Sequence, residues 1–164
     1  NLASLSSVRK AAEEVNSYVE TVDVLINNAA TMAGPYEKTE DGFESQFQIN
    51  HLGHFLFTNL LLKKMMMRRG ARVINVTSNG YGFGGIRFED PNFEVRHLHV
   101  LHVPFIGTRK NAEYSLTISK KEDYNKWAAY AQSKTANILF SAALAERLGG
   151  KGIFSFSAEV GGGN

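Results

Sequence analysis

The chain contains no cysteine, which excludes disulfide bonds and thiolate metal sites and suits a reducing compartment. Long apolar runs are missing as well. The longest, FLFTNLLL at 55–62, falls far short of the roughly 20 residues that a bilayer-spanning helix needs. Neither sign of charge dominates: 18 Lys and Arg against 16 Asp and Glu give a net charge of +2, scattered along the chain. That pattern carries no footprint for nucleic acid or an anionic membrane. Absent too is any G-x-x-x-G-x-G turn between a strand and a helix, the device that seats a pyrophosphate at a helix N-terminus. The glycines of GFGG (82–85) and GGGN (161–164) sit outside that context and read as loop. With no cysteine and no membrane span, a cytoplasmic location is the expectation.

What is present is an ordinary core-forming composition. The 164 residues are 43% hydrophobic and 21% charged, enough for one domain with a sizeable core. Leu5, Val8, Ala12 and Val15 repeat at helical spacing and predict a helix over about 4–18. The apolar run Val22, Val24, Leu25 and Ile26 predicts a strand over 22–27, of the kind that lies in a parallel sheet covered on both faces. A loop follows, then one long helix over roughly 40–68, with Phe43, Phe47, Leu52, Leu56 and Leu60 among its buried positions and Gly70 beyond its end. Strands are predicted at 72–77 and 152–157, with a helix over 125–148 between them. The alternation predicts an α/β fold with a parallel sheet.

Chemistry-bearing residues occur at the ends of these elements. Tyr130 and Lys134 in YAQSK lie one helical turn apart, so phenol and ammonium share a face. A free tyrosine titrates at about 10, and a fixed cation beside it favours the phenolate, which is how a tyrosine becomes a proton-transfer group. Ser78 ends the strand-like run RVINVTS, about fifty residues earlier. Asn28 and Ala29, in INNAA, fall just past the first strand, where ligands sit in open α/β sheets. Asn50, in NHLGHF, is polar within an apolar helix. Read singly, Ser78 is a turn residue, Asn50 a buried amide bonded to backbone, and Asn28 a strand cap.

In this order the pieces resemble the short-chain dehydrogenase/reductase family. NNAA stands where the family has Asn-Asn-Ala-Gly, NHLGHF matches Asn-x-x-Gly-x-Phe, INVTS matches the serine strand, and YAQSK is the Tyr-x-x-x-Lys pair. SKTANILF is similar to the retinol-dehydrogenase-like branch, and RFEDPNFE with YNKWAAYAQSKTAN to its fungal members. The resemblance covers about 1–94 and 122–157. It implies a partial Rossmann-like, doubly wound parallel sheet. The family's first βαβ units would precede Asn1, so residues 1–164 are expected to form a single incomplete dinucleotide-binding domain.

The resemblance also implies roles. Tyr130 would move the proton, and Lys134 would lower its pKa and bond the nicotinamide ribose. Ser78 would hold the substrate oxygen, Asn50 would anchor a water linked to Lys134, and Asn28 and Ala29 would line the cofactor cleft. NADP or NAD is the implied cofactor, with NADP favoured, and the substrate class is a small, lipophilic carbonyl compound or alcohol. Homo-oligomers through helices 40–68 and 125–148 are implied too. The alternative is a catalytically silent remnant that acts through helix-mediated association.

Residues 95–121 depart from the family pattern. Removing them would bring Ser78 and Tyr130 to about the family's separation and join NFE to EDYNKW. The segment reads either as retained, translated non-coding sequence or as a genuine surface insertion. Its His97, His99 and His102 lie in an apolar stretch without the supporting ligands a zinc site needs. His51 and His54 have no carboxylate spaced to complete a metal set. At the C-terminus Glu159-Val160 replaces the family's His-Pro.

Overall fold

The first helix is started by a serine. Ser4 is extended, and its side chain accepts from the Ser7 amide, capping α1 (Leu5–Tyr18). Val8 and Ala12 are its buried residues. The computed structural model describes residues 1–94 and 124–159. The segment 95–121 and the terminal 160–164, including His97, His99, His102 and Val160, lie outside the described residues.

After α1 come β1 (Val24–Asn27), the short turn α2 (Ser45–Phe47), a π-helical turn (Gln48–Leu52) and α3 (Gly53–Met66). Next are β2 (Ala71–Thr77), a 3₁₀ turn (Asn79–Phe83), α4 (Lys126–Leu148) and β3 (Ile153–Glu159). The strands form one parallel sheet in the order β1-β2-β3, with Leu25 beside Val73 and Val73 beside Ser155. Glycines at positive φ close two of the connections: Gly70 (φ +93°) turns the chain into β2 and Gly152 (φ +84°) turns it into β3.

The long helix differs from the expected 40–68 in start and interior. It begins at Ser45 because Asp41-Gly42 form a turn, with Gly42 at φ +83°, and Glu44 caps the amides of Gln46 and Phe47. The π-helical turn then interrupts it. Along α3 the buried positions include His54, Thr58, Leu61 and Met65, whereas Leu52, Leu56 and Leu60 are half-buried. Hydropathy could not show this, because His54 and Thr58 are inside by virtue of hydrogen bonds to Asn50 O and from Asn27 Nδ2.

Met65, Ala71, Val73, Phe140, Leu144, Leu148 and Ile153 form the core between α3, α4 and the sheet. β2 alternates buried and open side chains, with Ala71, Val73, Asn75 and Thr77 turned to the helices. On its other face, Val24, Ile26, Phe154 and Phe156 are exposed. Among the described residues the helices therefore cover one face of the sheet. Trp127, in the first turn of α4, is half exposed.

Candidate active site

One face of α4 is polar where hydropathy would expect core. Tyr130, Lys134, Asn137 and Ser141 follow one another at spacings of four, three and four, so they line up along the helix. Lys134, Asn137 and Ser141 are buried. Each is met by hydrogen bonds from the covered side of the sheet, and those bonds make their burial tolerable. Ser141 Oγ accepts from Asn75 Nδ2 (2.9 Å) and is 3.1 Å from the carbonyl oxygens of Asn137 and Phe156. Asn75 Oδ1 in turn accepts from Asn27 Nδ2 at 2.7 Å, and Asn27 also donates to Thr58 Oγ1. A buried polar ladder thus crosses from β1 over β2 to α4.

The ladder sets the height of α4 against the carboxyl ends of the strands. Thr77 Oγ1 donates to Lys134 O (3.1 Å), pinning the helix beside the strand end. Ser78 follows at once; it caps the 3₁₀ turn, its Oγ accepting from Gly80 N. Tyr130 lies across this turn. A Cβ placed on Gly80 would come within 2.9 Å of Tyr130 Cε1 and 3.5 Å of Ser78 Oγ, so the ring and the hydroxyl flank the same glycine. Ser78 and Tyr130 are both half-buried.

Lys134 points back under the tyrosine. Its Nζ donates to Val76 O at 3.2 Å and lies 5.5 Å from the centre of the Tyr130 ring. Burial holds the Lys134 ammonium below the ordinary lysine pKa. Val76 O is shared, because Asn137 Nδ2 donates to it as well (3.1 Å).

Asn50 sits in the π-helical turn and is buried. Its amide is fully engaged as a donor: Nδ2 donates to Thr31 O and Ser133 Oγ, while Oδ1 accepts from Thr31 N. The Asn50 carbonyl accepts from His54 Nδ1 (3.1 Å) and Asn137 Nδ2 (3.2 Å). Asn50 is therefore a brace between the loop after β1, the π-turn and α4, and both lone pairs of its carbonyl oxygen are taken. The water role implied by the resemblance has only the second lone pair of Oδ1 to use. Asn28 and Ala29 are exposed beyond the end of β1, on that same loop.

Sequence reasoning missed Thr31, Gly80, Ser133 and Asn137. The signal for Asn137 was present: it continues the line of Tyr130 and Lys134 by one more turn. Glu159 also has a place here. Its carboxylate accepts from Asn79 N (3.2 Å), tying the end of β3 to the turn after Ser78.

The sequence profile of the short chain dehydrogenase family matches residues 1–88. The chain belongs to that family. Among its relatives, retinol dehydrogenase 13 of Homo sapiens is 43% identical over 153 residues, covering 93% of this chain and 38% of that protein. The solved structure of an uncharacterized protein from Mycobacterium paratuberculosis is 39% identical, with a TM-score of 0.74, covering 98% of this chain and 48% of the other. A blue fluorescent protein from a metagenomic library, solved in complex with NADPH, is 26% identical, with a TM-score of 0.56, covering 93% and 47%. This short-chain dehydrogenase chain thus spans less than half the length of these relatives, and its parallel sheet with flanking helices is the corresponding part of their Rossmann-type fold.

The donor set at the site suits one end of a nicotinamide nucleotide. A phenol, a hydroxyl and an ammonium match a carbonyl oxygen and ribose hydroxyls. No glycine-rich turn leads from a strand into a helix N-terminus among the described residues, so a pyrophosphate has no seat there.

Proposed function

We propose that the chain is the part of an NAD(P)-dependent oxidoreductase that interconverts a carbonyl and an alcohol. The observation that carries it is the placement of Ser78 and Tyr130 beside the same glycine, Gly80, with Lys134 one turn along and bonded to Val76 O. In this reading Tyr130 gives its phenolic proton to the substrate oxygen during reduction and takes it back during oxidation. Lys134, whose Nζ lies 5.5 Å from the centre of the Tyr130 ring, bonds the nicotinamide ribose. Ser78 Oγ donates to the substrate oxygen as charge gathers on it, an oxyanion-type role. Asn50 braces the site, and Asn28 and Ala29 line the cleft beyond β1. NADP or NAD, when bound, supplies or accepts the hydride at the carbonyl carbon.

The NADPH complex of the metagenomic protein supports NADP as the cofactor, and the retinol dehydrogenase relatives support a lipophilic substrate. The same reading takes residues 1–164 as one incomplete dinucleotide-binding domain carrying 95–121 as an insertion. It includes association of two copies through α3 and α4, whose exposed Phe55 and Leu139 would lie at the contact.

The test is titration of the 164-residue chain with NADPH, followed by fluorescence, and then reduction of decanal followed at 340 nm. Because the described residues offer no pyrophosphate seat, weak binding through the nicotinamide end is expected, with slow turnover that falls at least ~100-fold in Tyr130→Phe. No binding and no turnover would overturn the reading for this chain and leave the silent, helix-associating alternative.

A further inference from the structure

Asn137 touches neither the phenol nor the serine, yet its one amide meets three parts of the site. Nδ2 donates to Val76 O (3.1 Å) and to Asn50 O (3.2 Å), and Oδ1 faces His51 Nδ1 (3.0 Å). The side chain is 2% exposed. Its orientation is fixed by chemistry, because both partners of Nδ2 are carbonyls and can only accept. Oδ1 is therefore the atom that faces His51, and His51 must carry its proton on Nδ1.

The same reasoning settles His54, whose Nδ1 meets the Asn50 carbonyl at 3.1 Å and so must donate. When neutral, both histidines are thus held as the Nδ1–H tautomer. Val76 O is also the acceptor for Lys134 Nζ (3.2 Å). One amide consequently spans the Lys134 acceptor on β2, the Asn50 peptide in the π-turn and the His51 ring. The titratable groups around it are His51, His54, Lys134 and Tyr130.

We propose that Asn137 is a positioning residue: it fixes the carbonyl on which Lys134 rests, the peptide of Asn50 and the tautomer of His51 together. This rests on the reading of Tyr130 and Lys134 as the proton-handling pair, but its test needs no cofactor. In the 164-residue chain, ¹⁵N–¹H correlation spectra of the histidine rings should show Nδ1–H at His51 and His54. A protonated Nε2 on neutral His51 would overturn the proposal.

Two variants then separate the contacts. Asn137→Asp keeps an acceptor for His51 and loses both donations to carbonyls; Asn137→Leu loses all three contacts at similar volume. The Lys134 Nζ titration, read by NMR, should move by at least threefold in proton affinity in both variants. The His51 tautomer should survive in Asn137→Asp and change in Asn137→Leu. If the two variants only lower the melting temperature, with the Lys134 titration and His51 tautomer unmoved, Asn137 is merely structural and the proposal fails. Should Asn137→Leu not fold, the wild-type spectrum and Asn137→Asp decide. Failure of cofactor binding in the wild-type chain would count against the oxidoreductase reading and leave these spectra to be judged independently.

Discussion

The two faces of the sheet are built from similar residues and treated in opposite ways. On one, Ala71, Val73 and Ile153 are sealed beneath Phe140, Leu144 and Leu148, and Asn27 and Asn75 carry a ladder of hydrogen bonds to α4. On the other, Val24, Ile26, Phe154 and Phe156 are exposed. Alternation along a strand ordinarily separates apolar from polar; here it separates apolar from apolar, the composition of a parallel sheet made for cover on both sides. The comparison teaches that the site depends on one face only. Lys134, Asn137 and Asn50 all hang from the covered side, so the chemistry-bearing residues are held in place without cover on the other.

The sharpest way to break that contrast is to empty the sealed side. Leu144→Ala should destabilise the chain by about 2–5 kcal/mol, measured by urea unfolding. Next in size is the ladder. Asn75→Ala leaves Asn27 Nδ2 without one acceptor and Ser141 Oγ without a donor, and should cost about 1–3 kcal/mol by the same measurement. A variant at either position that unfolds like wild type would remove the distinction between the faces.

Acid probes the covered side differently. Burial holds the pKa of His51 and of His54 below the free-histidine value. The unfolded chain therefore binds more protons than the folded one as pH falls below about 6.5. Stability should be retained above that pH and fall below it, by at most ~1.4 kcal/mol per pH unit for each histidine, until the folded-state values are passed. Urea midpoints between pH 7 and pH 5 measure it, and a His51→Gln variant should flatten the slope. A midpoint independent of pH over that range would refute this account of the two rings.

The open face should respond least among substitutions. Phe156→Thr should change stability by no more than about 0.5 kcal/mol while reducing self-association at high concentration, read by light scattering. The smallest effect is expected from a change to neither face. Phe93 and Tyr124, which bracket the 95–121 segment, lie with ring centres 5.6 Å apart, so the described chain on either side of it already meets. Joining Glu94 to Glu122 should leave the urea midpoint within error of wild type. A large loss would show that the segment supports the fold.

Much of this architecture was legible beforehand because periodicity and punctuation agree. Leu5, Val8, Ala12 and Val15 mark the first helix by their spacing and Gly70 marks a helix end by its turning chemistry, while Ser78, Tyr130 and Lys134, singled out by their motifs, lie near one another beyond the end of β2. What escaped was decided by long-range hydrogen bonds. Thr58 and His54 lie deeper than Leu56 and Leu60 because of partners distant in sequence or on a preceding turn, which hydropathy cannot register. Asn137 was hidden for the same reason: its importance comes from Val76 and Asn50, far away along the chain. The exposure of Val24 and Ile26 could not be read either, since an apolar strand looks alike whether or not something lies over it.

The π-helical turn at Gln48–Leu52 gives the chain an angular setting. A π-turn holds one residue more than a turn of α-helix, so deleting a single residue there would let the segment close as α-helix and remove the bulge that sets Asn50 against Thr31 and Ser133. A one-residue deletion at this point should be far less tolerable than one in the loop at 32–36, although neither removes a side chain that handles a proton.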